Sequence, residues 1–223
     1  KKQYPEYGLV SSFRKSYLKS EKTIEIVDFG AGSKVFKDNK RSISHIASVS
    51  AMTDKYGELL MRMVRYFNPQ NIVELGTCLG VGTAWQAVGC RRANVYTIEG
   101  DPSLHHISKE SVEQLGVKNV TFIQGRFEDT LPQLLQTIPS LDFVFIDGNH
   151  SEKPTIDYFE QCKSKVHAGT VLVFDDIHLS EEMERAWTYI KADNTVSLTV
   201  DVFRFGFVFF NEGVAKQDFV VRF

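Results

Sequence analysis

Short apolar runs alternate with helical patterns from Asn71 onward, and this alternation limits the possible folds more than any other feature of the chain. Runs rich in Val, Ile and Phe, without strict alternation, are typical of strands buried on both faces of a parallel sheet. Helical segments between such strands indicate βαβ units. The five runs are NIVEL (71–75), NVYTIE (94–99), NVTFI (119–123), LDFVFID (141–147) and GTVLVFDD (169–176). The sequence therefore predicts an α/β domain with a doubly wound, mostly parallel sheet.

The helices between these strands begin at recognisable residues. Asp101 followed by Pro102 is typical of an N-cap and a first helical position. Pro154 opens a second helical segment, and Ser180 precedes a third that carries Met183 and Trp187. Helices that begin at these residues connect the five predicted strands into one doubly wound unit.

Both flanks of this unit differ from it. Before the first strand, apolar residues recur at helical spacing over 56–67, which predicts an amphipathic helix that covers the sheet or a neighbouring subunit. After the fifth strand, residues 196–203, 206–210 and 218–223 read as consecutive strands that form an antiparallel tail, or C-terminal hairpin. Seven of the 17 Phe residues lie between Phe203 and Phe223, and we expect them on the inner faces of these strands. The sheet should then have about seven strands.

Composition excludes several classes of protein. Lys and Arg number 26 and Asp and Glu number 28, so the net charge of −2 provides no excess to hold a nucleic acid or an anionic membrane. Three cysteines, Cys78, Cys90 and Cys162, fit neither a disulfide framework nor a paired zinc site. No apolar run approaches the length of a membrane span. The cysteine usage favours a reducing, cytoplasmic setting. The Phe-rich tail and the helix over 56–67 either close a core or form the face of a homodimer.

A glycine-rich turn follows the first strand of the unit. It reads Glu74-Leu75-Gly76-Thr77-Cys78-Leu79-Gly80-Val81-Gly82-Thr83, with spacing G-x-x-x-G-x-G. This spacing departs from both the dinucleotide fingerprint and the P-loop. Seventeen residues after Gly82, the second strand ends in Glu99, where a carboxylate can accept both hydroxyls of an adenosyl ribose. The simplest alternative is a tight structural crossover followed by a solvated acid.

This order of glycine turn, strand and acid resembles the class I methyltransferases that use S-adenosylmethionine. The resemblance implies a Rossmann-like fold and a first cofactor motif made by Glu74, Gly76, Gly80 and Gly82, with Thr77 and Thr83 beside them. It also implies that Glu99 binds the ribose. Gly125, Arg126 and Phe127, after the third strand, lie where the family contacts adenine, although a turn glycine and a core Phe explain them nearly as well.

Acids end the fourth and fifth strands. Asp147-Gly148-Asn149-His150 follows one strand and Asp175-Asp176 follows the next, and these ends meet at the ligand-binding edge of an open sheet. Carboxylates crowded there without partners repel each other, and Mg²⁺ with oxygen ligands would relieve the repulsion. The alternative is that the two adjacent aspartates cap the next turn.

The pattern of acids resembles the metal-dependent O-methyltransferases, which include catechol O-methyltransferase and enzymes that methylate sugar hydroxyls. The resemblance implies that Asp147, Asp175 and Asp176 bind the metal, and that Asp147 also touches the cofactor. His150 would then be the general base, with Lys153 as a second candidate and His178 as a weaker one. The implied reaction is methyl transfer to a hydroxyl oxygen of a small-molecule or sugar-like acceptor.

Two other functions and one further motif remain open. A non-catalytic relative would keep the cofactor motif without activity, whereas a nicotinamide-dependent oxidoreductase is disfavoured by the glycine spacing.

We expect residues 1–68 to form a helical appendage or cover, and residues 69–223 to form the Rossmann-like domain. Asp28-Phe29-Gly30-Ala31-Gly32-Ser33 also looks like a cofactor loop, but no strand with a terminal acid follows it. We therefore interpret it as a structural turn or a substrate-side element.

Overall fold

A computed structural model of the chain describes residues 3–27 and 39–223. Its helices are α1 (Pro5–Leu18), α2 (Ile43–Val49), α3 (Asp54–Phe67), α4 (Val81–Gly89), α5 (Pro102–Glu113), α6 (Phe127–Thr137), α7 (Glu152–Lys163) and α8 (Glu181–Ala192). Its strands are β1 (Thr23–Glu25), β2 (Lys40–Ser42), β3 (Asn71–Leu75), β4 (Asn94–Glu99), β5 (Val120–Gln124), β6 (Phe143–Ile146), β7 (Val171–Phe174), β8 (Leu198–Asp201), β9 (Gly206–Phe209) and β10 (Gln217–Val220). The turn predicted over 28–33 lies outside the described residues.

The central sheet has eight strands in the order β10-β8-β9-β7-β6-β3-β4-β5. Strands β3 to β7 are parallel, and β9 runs antiparallel between β7 and β8. Strand order reverses between β3 and β6, which are neighbours although β4 and β5 intervene in sequence. This switch point is where an open α/β sheet places its ligand. The predicted doubly wound, mostly parallel fold is confirmed.

The C-terminal tail differs from the prediction in one strand. The hairpin of β8 and β9 is antiparallel, as expected, but β10 returns to pair parallel with β8 at the edge of the sheet. The phenylalanines divide accordingly. Those of the β9 region are buried, whereas Phe203 and Phe219 are 75% and 48% exposed. The clustered Phe residues therefore fill the core around β9, and Phe223 packs against that core while partly buried.

Alternate residues of the buried strands face two separate apolar layers, one on each side of the sheet. Phe143 and Phe145 of β6 face a layer built with α1 to α5, whereas Val144 and Ile146 face a layer built with α6 to α8. This alternation follows from the period of two residues in a strand. Helices therefore cover the sheet on both faces, and α1 shares the core of the sheet through buried residues such as Val10.

Helix starts agree with the sequence signals. The Asp101 side chain accepts a hydrogen bond from the Leu104 N–H (2.7 Å) and caps α5, and Ser180 caps α8 through the Met183 N–H (3.3 Å). The amphipathic helix expected over 56–67 is confirmed as α3, whose Leu60 and Val64 are fully buried. Within residues 3–27 and 39–223, no helix combines the length and the apolar character needed to cross a membrane.

The contact between α3 and α4 provides a test of the packing. A Cβ added at Gly57 of α3 would lie 2.0 Å from Trp85 Nε1 of α4. We predict that Gly57→Ala lowers the free energy of unfolding by about 1–3 kcal/mol, because overpacking outweighs the better helix propensity of alanine. Urea denaturation measures the change.

Gly8 of α1 is the matched control, since it is exposed and no atom lies within 4 Å of its added Cβ. Gly8→Ala should leave stability unchanged or raise it by up to about 1 kcal/mol. A Gly57→Ala protein as stable as Gly8→Ala would contradict the described packing.

Candidate active site

A cavity of about 420 Å³ lies over the carboxyl ends of β3, β4 and β6. Its walls come from the glycine turn, the end of β4, the loop after β6 and the start of α6. The segment before the central unit adds a further wall, with Ile26, Val27, Ile46 and Val49. Of the predicted site residues, the cavity is lined by Gly76, Glu99, Arg126, Phe127, Asp147 and His150.

The glycine turn brings backbone to the floor of the cavity. Gly76 has φ of 101°, and its N–H donates to the carbonyl oxygen of Ile98 (3.0 Å). A Cβ at this position would lie 1.9 Å from the carbonyl oxygen of Asp147. Only glycine satisfies both the positive φ and this close approach. The ends of β3, β4 and β6 thus meet at Gly76.

Glu99 at the end of β4 has a carboxylate that two backbone donors hold in place. The Cys78 N–H donates to Oε2 (2.8 Å) and the Asp101 N–H donates to Oε1 (2.9 Å). Burial raises the pKa of Glu99 and the two backbone hydrogen bonds oppose that rise. Each oxygen can accept a further hydrogen bond, so the carboxylate can hold two neighbouring hydroxyl groups that enter the cavity.

Glu74 was predicted to bind the cofactor, but its carboxyl group lies in the interior and does not line the cavity. It accepts hydrogen bonds from the hydroxyls of Thr83 and Thr97 and from Gln86 Nε2 (2.6 Å). Burial raises the pKa of Glu74 to about 8, against the effect of these three donors. Its side chain therefore ties β3 to β4 and α4 beneath the glycine turn.

The remaining residues of the motif also lie behind the cavity wall rather than on it. Thr77 is buried with its hydroxyl 2.5 Å from that of Thr97. Gly80 begins α4 with φ of 76°, and a Cβ at Gly82 would lie 2.8 Å from Glu74 Oε1. Together with Thr83 and Gly125, these residues are absent from the cavity lining. Their contribution is to shape the turn that carries Gly76 and Cys78.

The start of α6 forms the side of the cavity near Glu99. The Phe127 ring packs edge-on against Tyr158, with ring centroids 5.7 Å apart, and Arg126 pairs with Glu128. All four of these residues line the cavity. An aromatic ring with an adjacent guanidinium provides a surface on which a flat heterocycle can stack.

Asp147 and His150 lie at the end of the cavity that β6 forms. His150 Nε2 is 3.5 Å from Asp147 Oδ1. Burial lowers the pKa of His150, but the Asp147 hydrogen bond and the charges of Asp147, Asp176 and Asp175 outweigh it and raise the pKa above its ordinary 6.5. Asn149 and His150 have φ of 66° and 27°. Such backbone strain in consecutive non-glycine residues is typical of functional sites.

The other predicted metal ligands do not reach the cavity, since Asp175 and Asp176 are both absent from its lining. Both carboxylate oxygens of Asp175 accept from Arg204, Oδ1 from Nε (2.7 Å) and Oδ2 from Nη2 (2.6 Å). Asp176 Oδ1 lies 3.5 Å from Arg204 Nε. Among residues 3–27 and 39–223, no three His, Cys, Asp or Glu side chains are grouped so that they could hold a metal ion. The predicted metal set therefore does not fit Mg²⁺.

Two alternative bases lie away from the cavity. Lys153 is 84% exposed and its ammonium group pairs with Asp157 on the helix surface. Both ring nitrogens of His178 have partners, Glu184 (2.6 Å) and Asp201 (2.7 Å). Neither side chain lines the cavity. His150 is the predicted base that the structure brings to it.

Several lining residues were not predicted from the sequence. The N-terminal segment contributes a wall because the Val27 N–H donates to Asp101 Oδ2 (2.5 Å) and holds that segment over β4. Asn149 donates to the Tyr158 hydroxyl (3.3 Å) and completes the side formed by α7. No local pattern marks the N-terminal wall, whereas Asn149 sits inside the predicted D-x-x-H segment and could have been included.

The fold, the glycine turn and the acid at the end of β4 resemble those of the class I methyltransferases. A family described as "Methyltransferase domain" matches residues 73–177, a little under half of the chain. The match begins in β3 and ends just after Asp175 and Asp176, so it includes the glycine turn, Glu99 and the acids after the fourth and fifth predicted strands. The resemblance to class I methyltransferases is thereby confirmed.

Individual relatives agree with this class. A catechol O-methyltransferase of Niastella koreensis is 27% identical over 130 residues, 57% of this chain and 58% of that protein. The chain thus matches a little over half the length of that relative. An O-methyltransferase from Bacillus cereus in complex with SAH superposes with a TM-score of 0.62 at 24% identity, over 72% of this chain and 81% of that one. The O-methyltransferase TomG from Streptomyces achromogenes, in complex with SAM, gives 0.66 at 18% identity, over 94% and 91%. These superpositions confirm the fold.

The interior position of Glu74 leads to a prediction about stability. Glu74→Ala should lower the free energy of unfolding by at least about 3 kcal/mol, because Thr83, Thr97 and Gln86 lose a buried acceptor at about 1–3 kcal/mol each. Glu74→Gln keeps the volume and one acceptor and should cost about 1 kcal/mol. Urea denaturation of both variants measures the difference.

The same residue sets a pH dependence. Because the folded-state pKa of about 8 exceeds the ordinary 4.5, the protonated carboxyl stabilises the fold at low pH. That contribution is lost as pH rises through the folded value. The stability of the wild type relative to Glu74→Gln should therefore fall between these two pH values. A difference that grows with pH would contradict the buried, neutral state of Glu74.

Proposed function

We propose that this protein is an S-adenosylmethionine-dependent methyltransferase that methylates a hydroxyl oxygen of a small-molecule or sugar-like acceptor. One observation carries the proposal. A single cavity has Glu99 at one end, ready to accept two hydroxyls, and the Asp147–His150 pair at the other. A methyl donor and an acceptor hydroxyl both have to bind in one space with those two ends.

The nucleoside end fits the adenosyl group in three ways. The two backbone donors fix the Glu99 carboxylate for the ribose hydroxyls. The aromatic wall at Phe127 can accept the adenine ring, and the Gly76 backbone leaves the open floor that a side chain would fill. S-adenosylmethionine, when bound, supplies an electrophilic methyl group. The relatives in complex with SAH and SAM support this choice of cofactor.

The other end fits removal of a proton from the acceptor. In its neutral form, His150 could accept the proton of an acceptor hydroxyl and so make that oxygen a better nucleophile, and the Asp147 carboxylate would stabilise the resulting imidazolium. The pair faces the cavity, and the strained backbone at Asn149 and His150 fixes the direction of the ring. No step requires a metal, since the carboxylates predicted to bind one do not fit it.

The acceptor is expected to contact the N-terminal segment, which we propose as the substrate-side cover of the domain over residues 69–223. Ile26, Val27, Ile46 and Val49 give this wall an apolar character, and His45 and Ser50 add polar groups. An apolar wall with a few polar groups suits a ring that carries hydroxyls. The catechol O-methyltransferase relative supports such an acceptor. A cytoplasmic location and a homodimer remain predictions.

A nicotinamide-dependent oxidoreductase is less well supported. The glycine spacing lacks the dinucleotide fingerprint, and the relatives named above are O-methyltransferases. A non-catalytic role would leave the strained His150 backbone without a purpose. Both alternatives predict that incubation with labelled S-adenosylmethionine and a panel of catechols and sugars yields no labelled product.

Glu99 provides the direct test of the cofactor. By calorimetry, the wild type should bind S-adenosylhomocysteine, and Glu99→Ala should weaken binding by about 100-fold, because two charge-assisted hydrogen bonds to hydroxyls are lost. Glu113→Ala, which removes an exposed carboxylate of α5, should bind like the wild type. Well-folded wild-type protein that gives no heat with this ligand would overturn the proposal.

His150 provides the test of the proton acceptor. In an NMR titration of the six histidines, the resonance lost in His150→Gln should titrate above 6.5, and Asp147→Asn should lower that midpoint. His150→Gln should also reduce kcat by about 100-fold or more. Since only neutral His150 can accept a proton, the wild-type rate should rise with pH through the same midpoint. A rate that is independent of His150 would rule out this base.

A further inference from the structure

Arg204 lies in the turn between β8 and β9 and reaches the acids at the end of β7. Its guanidinium makes two parallel hydrogen bonds to Asp175, whose side chain is fully buried, and lies 3.5 Å from Asp176. Tyr56 of α3 covers it, with the guanidinium carbon 5.9 Å from the ring centroid. The Arg204 side chain is therefore held by the acids after β7 and by Tyr56 of α3.

This arrangement places a positive charge at the position that a divalent cation would have to take. Mg²⁺ requires near-octahedral coordination by oxygen atoms at about 2.0–2.1 Å, yet both oxygens of Asp175 already accept hydrogen bonds from the guanidinium. A metal bound there would have to displace Arg204, and the displaced positive charge would stay on the same short turn. Repulsion between the two cations then adds to the cost of breaking a buried, bidentate ion pair.

We infer that Arg204 takes the place of the divalent cation at the acidic end of the site, as a built-in positive charge that makes methyl transfer independent of metal. Its guanidinium pairs with Asp175 and Asp176, while Asp147 pairs with His150 and also interacts with Asp175. Arg204 is thus a positioning residue. The catalytic consequence rests on the proposed function, whereas the exclusion of metal does not.

The chain offers a direct measurement of that exclusion. Titration with Mn²⁺, followed by the loss of the free-ion EPR signal, should detect no tight site in the wild type. Arg204→Ala frees the oxygens of Asp175 and Asp176 beside Asp147, and should bind Mn²⁺ at least about ten-fold more tightly than the wild type. If Arg204→Ala does not fold, Arg204→Gln is used in the same titration, because it removes the charge and keeps a polar side chain.

Arg185→Ala is the matched control. Arg185 also pairs with a carboxylate, Glu152, but on the exposed surface of α8, so its loss should create no Mn²⁺ site. Adding Asp175→Asn to Arg204→Ala should abolish the new site. Circular dichroism confirms that each variant is folded.

The outcomes separate this inference from the proposed function. Tight Mn²⁺ binding by the wild type that Asp175→Asn abolishes would overturn the inference, and so would the absence of any gain in the Arg204 variants. If the wild type transfers methyl groups, activity should be unchanged in excess chelator, and loss of activity there would also overturn the inference. A failure of S-adenosylhomocysteine binding would overturn the proposed function alone, since the Mn²⁺ titration needs no cofactor.

Discussion

The buried carboxyl group of Glu74 is the interaction on which the geometry of the cavity depends. It joins β3 to β4 through Thr97 and to α4 through Thr83 and Gln86. These contacts fix the turn between β3 and α4 from below, and that turn brings the Gly76 backbone and the Cys78 N–H to the cavity. Glu99 depends on Cys78 for one of its two backbone donors. The acid of the glycine motif thus acts on a ligand through the shape of the turn.

Charge is distributed unevenly around the cavity. At the nucleoside end, Glu99 is one of the carboxylates that line the cavity, and backbone N–H groups donate to it. At the other end Asp147 interacts with Asp175, and Asp175 with Asp176. His150 and Arg204 supply the opposite charge there from different sides. Arg204 holds the two acids furthest from the cavity, so Asp147 alone among the three lines it. Asp175 and Asp176 therefore form structural ion pairs with Arg204, whereas Asp147 is the partner of His150.

The fold could be predicted largely from the sequence, because the apolar runs and helix caps are local signals. The five parallel strands, α3, α5 and α8 follow from patterns within each segment. The pairing of β10 could not be predicted, because its choice between β8 and solvent depends on contacts distant in sequence. The same difference between local signals and distant contacts applies to the site. Gly76, Glu99, Asp147 and His150 follow motif positions, but the inward turn of Glu74 depends on which face of β3 meets α4.

The predicted metal site differs from the described contacts for a specific physical reason. Three acids at neighbouring strand ends require a positive charge. The charge comes from Arg204, which lies 29 residues beyond Asp175 and carries no motif. Likewise, the N-terminal wall reaches the cavity through a hydrogen bond between Val27 and Asp101, 74 residues apart. Partners that the fold alone brings together are not visible in one sequence.

A crystal structure of the protein grown with S-adenosylhomocysteine and Mg²⁺ tests the central claim most directly. The account predicts the ribose hydroxyls within hydrogen-bond distance of Glu99, the sulfur atom facing the end of the cavity with Asp147 and His150, and Arg204 still paired with Asp175. Ligand density outside this cavity, or a metal ion on Asp175 in place of the guanidinium, would contradict it.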